Sequence, residues 1–226
     1  MLVLSLDSSS IASAALTRNG EVLAEFATQD TRSHAEALAP AVYNLLGQVD
    51  LEPSQLTSIL VGTGPGPFTG LRAGLVSART FGFVWNLPVH GMCSLDALAH
   101  RAAQSTVDGT EFLVATDARR KELYWGRYVT HEDGHGRFAV SLNGPQVTAP
   151  EELPKLPIYG YGAGLYSDHL PYAVADSTDW QPTAADLSRA AWALQERGTE
   201  LSTDTSPLYL RESDAKVPVQ RKKALR

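Results

Sequence analysis

Asp7 and Asp117 are the residues of this chain with the clearest claim to chemistry. Each stands where an apolar run stops at a polar turn, Met1 to Leu6 before the first and Glu111 to Thr116 before the second. Phosphoryl transfer needs a metal-binding acid and turns that cradle phosphate, and these carboxylates are candidates for the acid. Asp also caps turns after strands with no chemistry at all, by hydrogen-bonding the backbone two residues on. The phosphate-cradling role falls to Gly62-Thr63-Gly64-Pro65-Gly66-Pro67-Phe68-Thr69-Gly70-Leu71-Arg72, which follows the apolar Ser58-Ile59-Leu60-Val61. Strand, glycine-rich turn and helix together present backbone N–H groups and a positive helix end to an anion. This run lacks the P-loop lysine, and its glycine spacing is not the dinucleotide fingerprint. It establishes a tight backbone beside a helix start and says little about a nucleotide. Peptidase chemistry has less support still, since no G-x-S-x-G motif joins a serine to an oriented base.

The elements that must position the two carboxylates occur twice. After Asp7 and Ser8-Ser9-Ser10 come a strand-like run, Ile11 to Thr17, an Asn19-Gly20 turn and a third run, Val22 to Phe26. Asn-Gly between apolar runs predicts a hairpin. Asp117 is followed by a polar turn (Ala118 to Lys121), a run from Leu123 to Val129, a turn at Asp133-Gly134 and a run from Phe138 to Leu142. The same order thus recurs about 110 residues on. The first copy continues into two long helices with a strand between them, then a short helix near Ser94 to Ala103. The second continues only into a helical stretch near Pro150, a strand at Pro157 to Tyr161 and a helix from Ala184 to Arg197.

Two such units predict an α/β protein of mixed sheets flanked by helices, its second half truncated. The expected lobes are 1–105 and 106–210, followed by a basic tail at 211–226. The plan resembles the actin, sugar-kinase and heat-shock ATPase superfamily, a duplicated ribonuclease H-like fold. That resemblance implies that both acidic turns of active members face a cleft holding ATP and a metal. In those members the second turn continues with small residues, so that backbone can approach phosphate. Here Arg119, Arg120 and Lys121 are bulky and cationic, and the second half is short for a full adenine-binding subdomain. The ATP-hydrolysing machinery therefore reads as degraded. Gly160, Gly162 and Gly164 are turn glycines or a remnant of that subdomain.

Two helices stand out. Ser33-His34-Ala35-Glu36 forms a capping-box pattern, and Leu38, Val42, Leu45, Leu46 and Val49 then share one helical face. Pro40 lies inside this helix. His34, in the first turn, is disfavoured as a cation by the helix dipole and reads as a neutral hydrogen-bonding residue. The helix from Thr69 to Trp85 carries Gly70, Gly74, Ala78 and Gly82 at four-residue intervals, a stripe with almost no side chains. A glycine in a helix interior costs about 1 kcal/mol against alanine, so only close backbone approach justifies several. The stripe either packs on the chain's own sheet or a neighbouring helix, or it lets both helices meet another protein. Arg72 and Arg79, seven apart, are then rim contacts or simply solvated.

The chain has 226 residues, 43% apolar and 19% charged, which is ordinary for a globular protein. No apolar stretch is long enough for a membrane span, and no basic leader precedes the first strand, so a cytoplasmic protein is expected. The lone Cys93 fits a reducing compartment and reads as a structural thiol. His131 and His135 are four apart but flank Gly134, so they read as solvated loop residues. The net charge of −6 argues against tight unaided binding of nucleic acid. It is uneven: residues 211–226 carry +4 and the rest −10. Such a tail reads as solvated, with a phosphate-contacting arm as the sharper alternative.

Together these motifs resemble the TsaB (YeaZ) family. The matching stretches are Leu6-Asp7-Ser8-Ser9, Ser33-His34-Ala35-Glu36 with Leu38 and Pro40, Gly64 to Arg72, Asp117 to Tyr124, Gly160 to Gly164 and Pro207-Leu208-Tyr209-Leu210-Arg211. Pro67 departs from the pattern, since many relatives have serine there. The resemblance implies a non-catalytic partner in bacterial tRNA threonylcarbamoyladenosine synthesis, with a two-lobed actin-like fold. It implies that this partner binds and orders a larger homologous subunit, TsaD. TsaD transfers the threonylcarbamoyl group to the adenosine beside the anticodon in tRNAs reading codons that begin with A. A TsaE-type ATPase joins the complex, and a homodimer forms when the chain is alone. ATP and metal are expected on the partner subunits and no cofactor here, since the histidine pair of TsaD has no counterpart. Contact with tRNA is at most indirect or through the basic tail. The residues expected at the helical interface are His34, Glu36, Leu38, Val42, Leu45, Gly70, Arg72, Gly74, Ala78, Arg79 and Gly82. Asp7, Ser8, Ser9 and Asp117 are candidates for a vestigial nucleotide loop. The alternative is an autonomous ATP-binding, kinase-like enzyme, or a peptidase, of the same fold.

Overall fold

Asn19 and Gly20 both take positive φ, 52° and 81°, and close the hairpin that the Asn-Gly pair predicts. They join two of three antiparallel strands, β1 (Leu2–Asp7), β2 (Ser13–Arg18) and β3 (Glu21–Ala27). Helix α1 (His34–Gln48) then leads to β4 (Ser58–Gly62), α2 (Phe68–Trp85), β5 (Val89–Met92) and α3 (Ser94–Ala103). The computed structural model describes residues 1–28 and 34–211, the side chains of 34 and 35 excepted. Ser33, the predicted N-cap, and the basic tail from 212 to 226 lie outside the described residues.

The first sheet runs β3-β2-β1-β4-β5, with β4 parallel to β1 and β5 parallel to β4. The second half begins again with β6 (Glu111–Asp117), β7 (Leu123–Asp133) and β8 (Gly136–Ser141). Then come β9 (Gln146–Thr148), β10 (Ile158–Tyr159), α4 (Tyr161–Leu165) and α5 (Ala184–Glu196). Its sheet runs β10-β6-β7-β8, with β9 alongside β7 and β10 parallel to β6. Counted from β8, this is the first sheet without its fifth strand, and Asp7 and Asp117 end equivalent strands. The chain adopts the duplicated actin-like α/β fold, cut down in its second half.

Strand alternation sorts the core. Leu2, Leu4, Leu6, Ile59 and Val61 pack toward α1 and α2, while Val3 and Leu60 meet Leu187, Ala190 and Ala191 of α5 on the other face. Helix α3 presses Leu95, Leu98 and Ala102 onto Phe112, Val114 and Tyr128 of the second sheet. Chain order and packing therefore part company at two helices. The last helix covers the first sheet, and the last helix of the first half covers the second.

The small-residue stripe of α2 faces inward. A side chain on Gly74 would overlap the Ser8 hydroxyl, and one on Gly82 would overlap Val89; Ala78 is fully buried. The Ser8 hydroxyl donates to the Gly70 carbonyl at 2.8 Å and accepts from the Gly74 amide at 3.0 Å. Leu38, Val42 and Leu45 of α1 lie in the same core. Expecting these seven residues at a partner interface is thus corrected: their contacts are within the chain. Gly74→Leu is expected to destabilise the fold by about 3 kcal/mol, because overpacking is added to two lost hydrogen bonds. Gly47→Ala, in α1 with open space around it, should stabilise by about 0.5–1 kcal/mol. Urea unfolding midpoints of both variants check the contrast.

Candidate functional site

The fold brings the first acidic turn under the start of α2. Asp7 is fully buried. Its Oδ1 accepts from the Ser9 amide at 2.8 Å and the Ser9 hydroxyl at 2.7 Å, and its Oδ2 accepts from the Ser94 hydroxyl at 2.6 Å. Ser94 in turn accepts from the Gly64 amide at 3.1 Å. A side chain on Gly66 would come within 2.5 Å of the Ser9 carbonyl oxygen, so the glycine-rich turn is pressed onto the Ser8–Ser9 turn. The tight backbone read from the sequence serves this internal approach.

Asp117 is closed from the other side. Its Oδ1 accepts from the Arg119 amide at 2.7 Å, and the Arg119 guanidinium lies 3.1 Å from Oδ2. Arg119, Arg120 and Lys121 take φ of 62°, 55° and 62°, a left-handed turn of side chains that each disfavour it by about 1–2 kcal/mol. The Ala118 amide donates to the Glu122 carbonyl and the Glu122 amide to the Arg119 carbonyl, both at 3.0 Å, and these bonds hold that turn. Arg211 donates to the Ala118 carbonyl at 2.9 Å and pairs with Glu122. Ser9, Ser10, Asp117, Arg119, Tyr161 and Gln181 line a cavity of about 210 Å³ where the two acidic turns meet, and Asp7 and Ser8 do not reach it. That volume is below the usual range of ligand pockets, about 300–1,000 Å³. These residues do not fit a metal–nucleotide: both Asp7 oxygens are engaged by the chain's own groups, and an arginine covers Asp117.

The glycines at 160, 162 and 164 are contact residues. Side chains there would run into the Ala115 and Thr178 backbones. Cys93 holds the N-cap position of α3 without a side-chain capping bond, and burial, followed by the nearby Asp96 carboxylate, pushes its thiol well above the usual range. This fits an inert structural thiol. His131 pairs with Asp108 at 3.7 Å, half-exposed on β7.

Of the expected interface residues, Glu36, Arg72 and Arg79 are at the surface, and the His34 side chain lies outside the described set. The arginines are occupied by the chain itself. Arg72 donates to the Tyr209 hydroxyl at 2.7 Å; Arg79 donates to Thr205 Oγ1 at 2.9 Å and to its carbonyl at 2.8 Å. Sequence reasoning missed what stands between and beside them. Val76, Phe83 and Val84 are 61%, 88% and 65% exposed, and Tyr43 of α1 is 59% exposed. Tyr43 meets Phe81 and Trp85 edge-on, ring centres 6.2 and 6.4 Å apart. The signal was present: Val76 and Phe83 are seven apart, so α2 is apolar on two faces.

A family model described as TsaD, tRNA N6-adenosine threonylcarbamoyltransferase, matches residues 21–188. The TsaB of Escherichia coli is 28% identical over 232 residues, 95% of this chain and 96% of that protein. The structure of YeaZ from Pseudomonas aeruginosa superposes with a TM-score of 0.76 at 29% identity, covering 92% of this chain and 99% of its own. The chain belongs to the TsaB (YeaZ) branch of this family. An uncharacterized protein of Mycobacterium tuberculosis is 39% identical over 196 residues, 86% of this chain and 83% of that one. The named relatives are tRNA threonylcarbamoyladenosine biosynthesis proteins, and the family resemblance read from the motifs holds. Among the described residues, no helix is long and apolar enough to cross a membrane. Asp7→Ala is expected to cost about 2–4 kcal/mol of stability, because it strands buried donors of Ser9 and Ser94. Urea unfolding checks this, and a variant as stable as the parent would remove the structural role.

Proposed function

We propose that the chain works in tRNA threonylcarbamoyladenosine biosynthesis as a non-catalytic subunit that holds and orders a TsaD-type transferase. The observation that carries this reading is the ridge of Tyr43, Val76, Phe83 and Val84. The inner face of α2 is packed on the chain's own sheet, and a cluster of large apolar side chains left exposed on its outer face marks a surface for another protein. Phe83, almost wholly exposed on a helix whose other side is locked to the sheet, is the natural anchor of such an interface. A homologous partner offers helices of the same kind, so the contact is a helical bundle. The same ridge makes a homodimer when the partner is absent. A TsaE-type ATPase joins the assembled pair, and the partners supply ATP and metal.

The non-catalytic part of the proposal is supported by the two acidic turns, whose oxygens serve the chain's own hydroxyl, amide and guanidinium groups. Phe83→Asp should weaken association with the cognate TsaD-type subunit about 30-fold or more, as loss of an interface anchor does. The exposed position predicts an unfolding midpoint within about 0.5 kcal/mol of the parent. Size-exclusion chromatography and calorimetry with the partner decide it. An undiminished complex removes the ridge from the interface. Equal tRNA modification by the larger subunit alone removes the function.

A further inference from the structure

A cavity of about 500 Å³ lies between α3, β8 and α5, separate from both the acidic turns and the α2 ridge. Met92, Ala99, Val140 and Leu194 give it apolar walls, and Asp96, His100, Tyr128, Asp133 and Arg197 bring polar groups to it. Its volume is that of an ordinary small-molecule site.

The charges around it do not cancel. Arg197 and Asp133 neutralise each other through a two-pronged contact, Nε to Oδ2 at 2.9 Å and a terminal nitrogen to Oδ1 at 2.8 Å. Arg197 is further bound to the carbonyls of Gly136 and Ala193 and lies 4.0 Å over the Phe138 ring. It has little left to offer an anion. His100 is neutral at physiological pH, since burial pushes it down to about 4. The Tyr128 hydroxyl and the Cys93 thiol are both pushed up and stay protonated. That leaves Asp96. It accepts from the Tyr128 hydroxyl at 2.8 Å, and burial raises its carboxyl to about 6 despite that bond. Near neutral pH an ionised carboxylate therefore faces an apolar chamber, and the one arginine lining that chamber among the described residues, Arg197, is already paired with Asp133.

We infer that this cavity binds a small organic amine, its ammonium on the Asp96 carboxylate and its apolar body against Met92, Ala99, Val140 and Leu194. An anion would meet the uncompensated carboxylate. A neutral apolar molecule would take water from that carboxylate and return nothing. An ammonium supplies both charge and donors, while the walls take the hydrocarbon.

The test uses the full chain and three probes of one shape: benzylamine, benzyl alcohol and benzoate. Calorimetry and amide chemical-shift titration at pH 7.5 should show saturable benzylamine binding at least about tenfold tighter than the alcohol, shifting residues of α3, β8 and α5, with benzoate weakest. Asp96→Asn should bring the amine down to the level of the alcohol. At pH 5 amine affinity should fall about tenfold, because a carboxyl titrating near 6 is then mostly protonated. His100, Tyr128 and the Asp133–Arg197 pair, the other titratable or charged groups lining the cavity, and the nearby Cys93 keep their charge over that range. Val140→Trp, at a partly exposed wall position, should block binding with Asp96 in place, which covers the case in which the asparagine variant does not fold. Equal affinity for amine and alcohol, amine binding that survives Asp96→Asn or is unchanged at pH 5, or no saturable binding of any probe would overturn the inference.

Discussion

The buried Asp7 carboxylate is the constraint around which the first half is assembled. A fully buried charge is tolerable only when its oxygens find donors, and here they come from two separate segments. Ser9 wraps its own turn onto one oxygen, while Ser94 brings the first residue of α3 to the other. Through Ser94 the same centre reaches the Gly64 amide and fixes the glycine-rich turn. One charge thereby sets the end of β1, the exit of β4 and the entry of α3. Helix α3 is in turn the wall on which the second sheet packs.

Enclosure dictates how α2 is made. The Ser8 hydroxyl sits between the Gly70 carbonyl and the Gly74 amide, where a methyl group would not fit. The glycines forfeit about 1 kcal/mol of helix propensity each, and close approach to the Ser8 turn and β5 offsets it. With its inner face fixed to the sheet, α2 cannot roll to hide the apolar residues on its outer face. The segment after α5 strengthens this hold. Thr205 and Tyr209 take the two arginines of α2, Phe68 and Tyr209 pack with ring centres 4.5 Å apart, and Arg211 carries the chain across to Glu122. A surface held this firmly would lose little entropy if another protein docked on it.

The sequence revealed the fold wherever the determinant was local. Asn19-Gly20 fixed the hairpin, the Gly62–Arg72 run marked the start of α2 to within a residue, and the repeated strand–Asp–turn order exposed the duplication. The three-residue β9 and the five-residue α4 were too short for periodicity to detect. The direction of the glycine stripe was illegible for another reason. A column of small residues looks the same whether a sheet or a foreign helix fills it, and the deciding atom, Ser8 Oγ, lies more than sixty positions away. Leu38, Val42 and Leu45 suffered the same ambiguity. Phe83 and Val76 share a face seven residues apart, but that spacing does not tell an exposed apolar face from a buried one. The placement of α5 on the first sheet is equally long-range, resting on Leu187, Ala190 and Ala191 meeting Val3 and Leu60.

The acid pair illustrates why motif and chemistry must be kept apart. A carboxylate can serve a metal only through an oxygen that is open to it. At Asp7 both oxygens are spent on hydroxyl and amide donors, and at Asp117 a left-handed turn folds an arginine over the side chain. Neither aspartate becomes dispensable on that account. Replacing Asp7 strands Ser9 and Ser94, and replacing Asp117 leaves the Arg119–Lys121 turn with its strain and without its anchor. Both positions thus need aspartate in a chain that transfers no phosphate as much as in one that does. The retained acids are therefore neutral evidence about catalysis, and what bears on it is the occupancy of their oxygens.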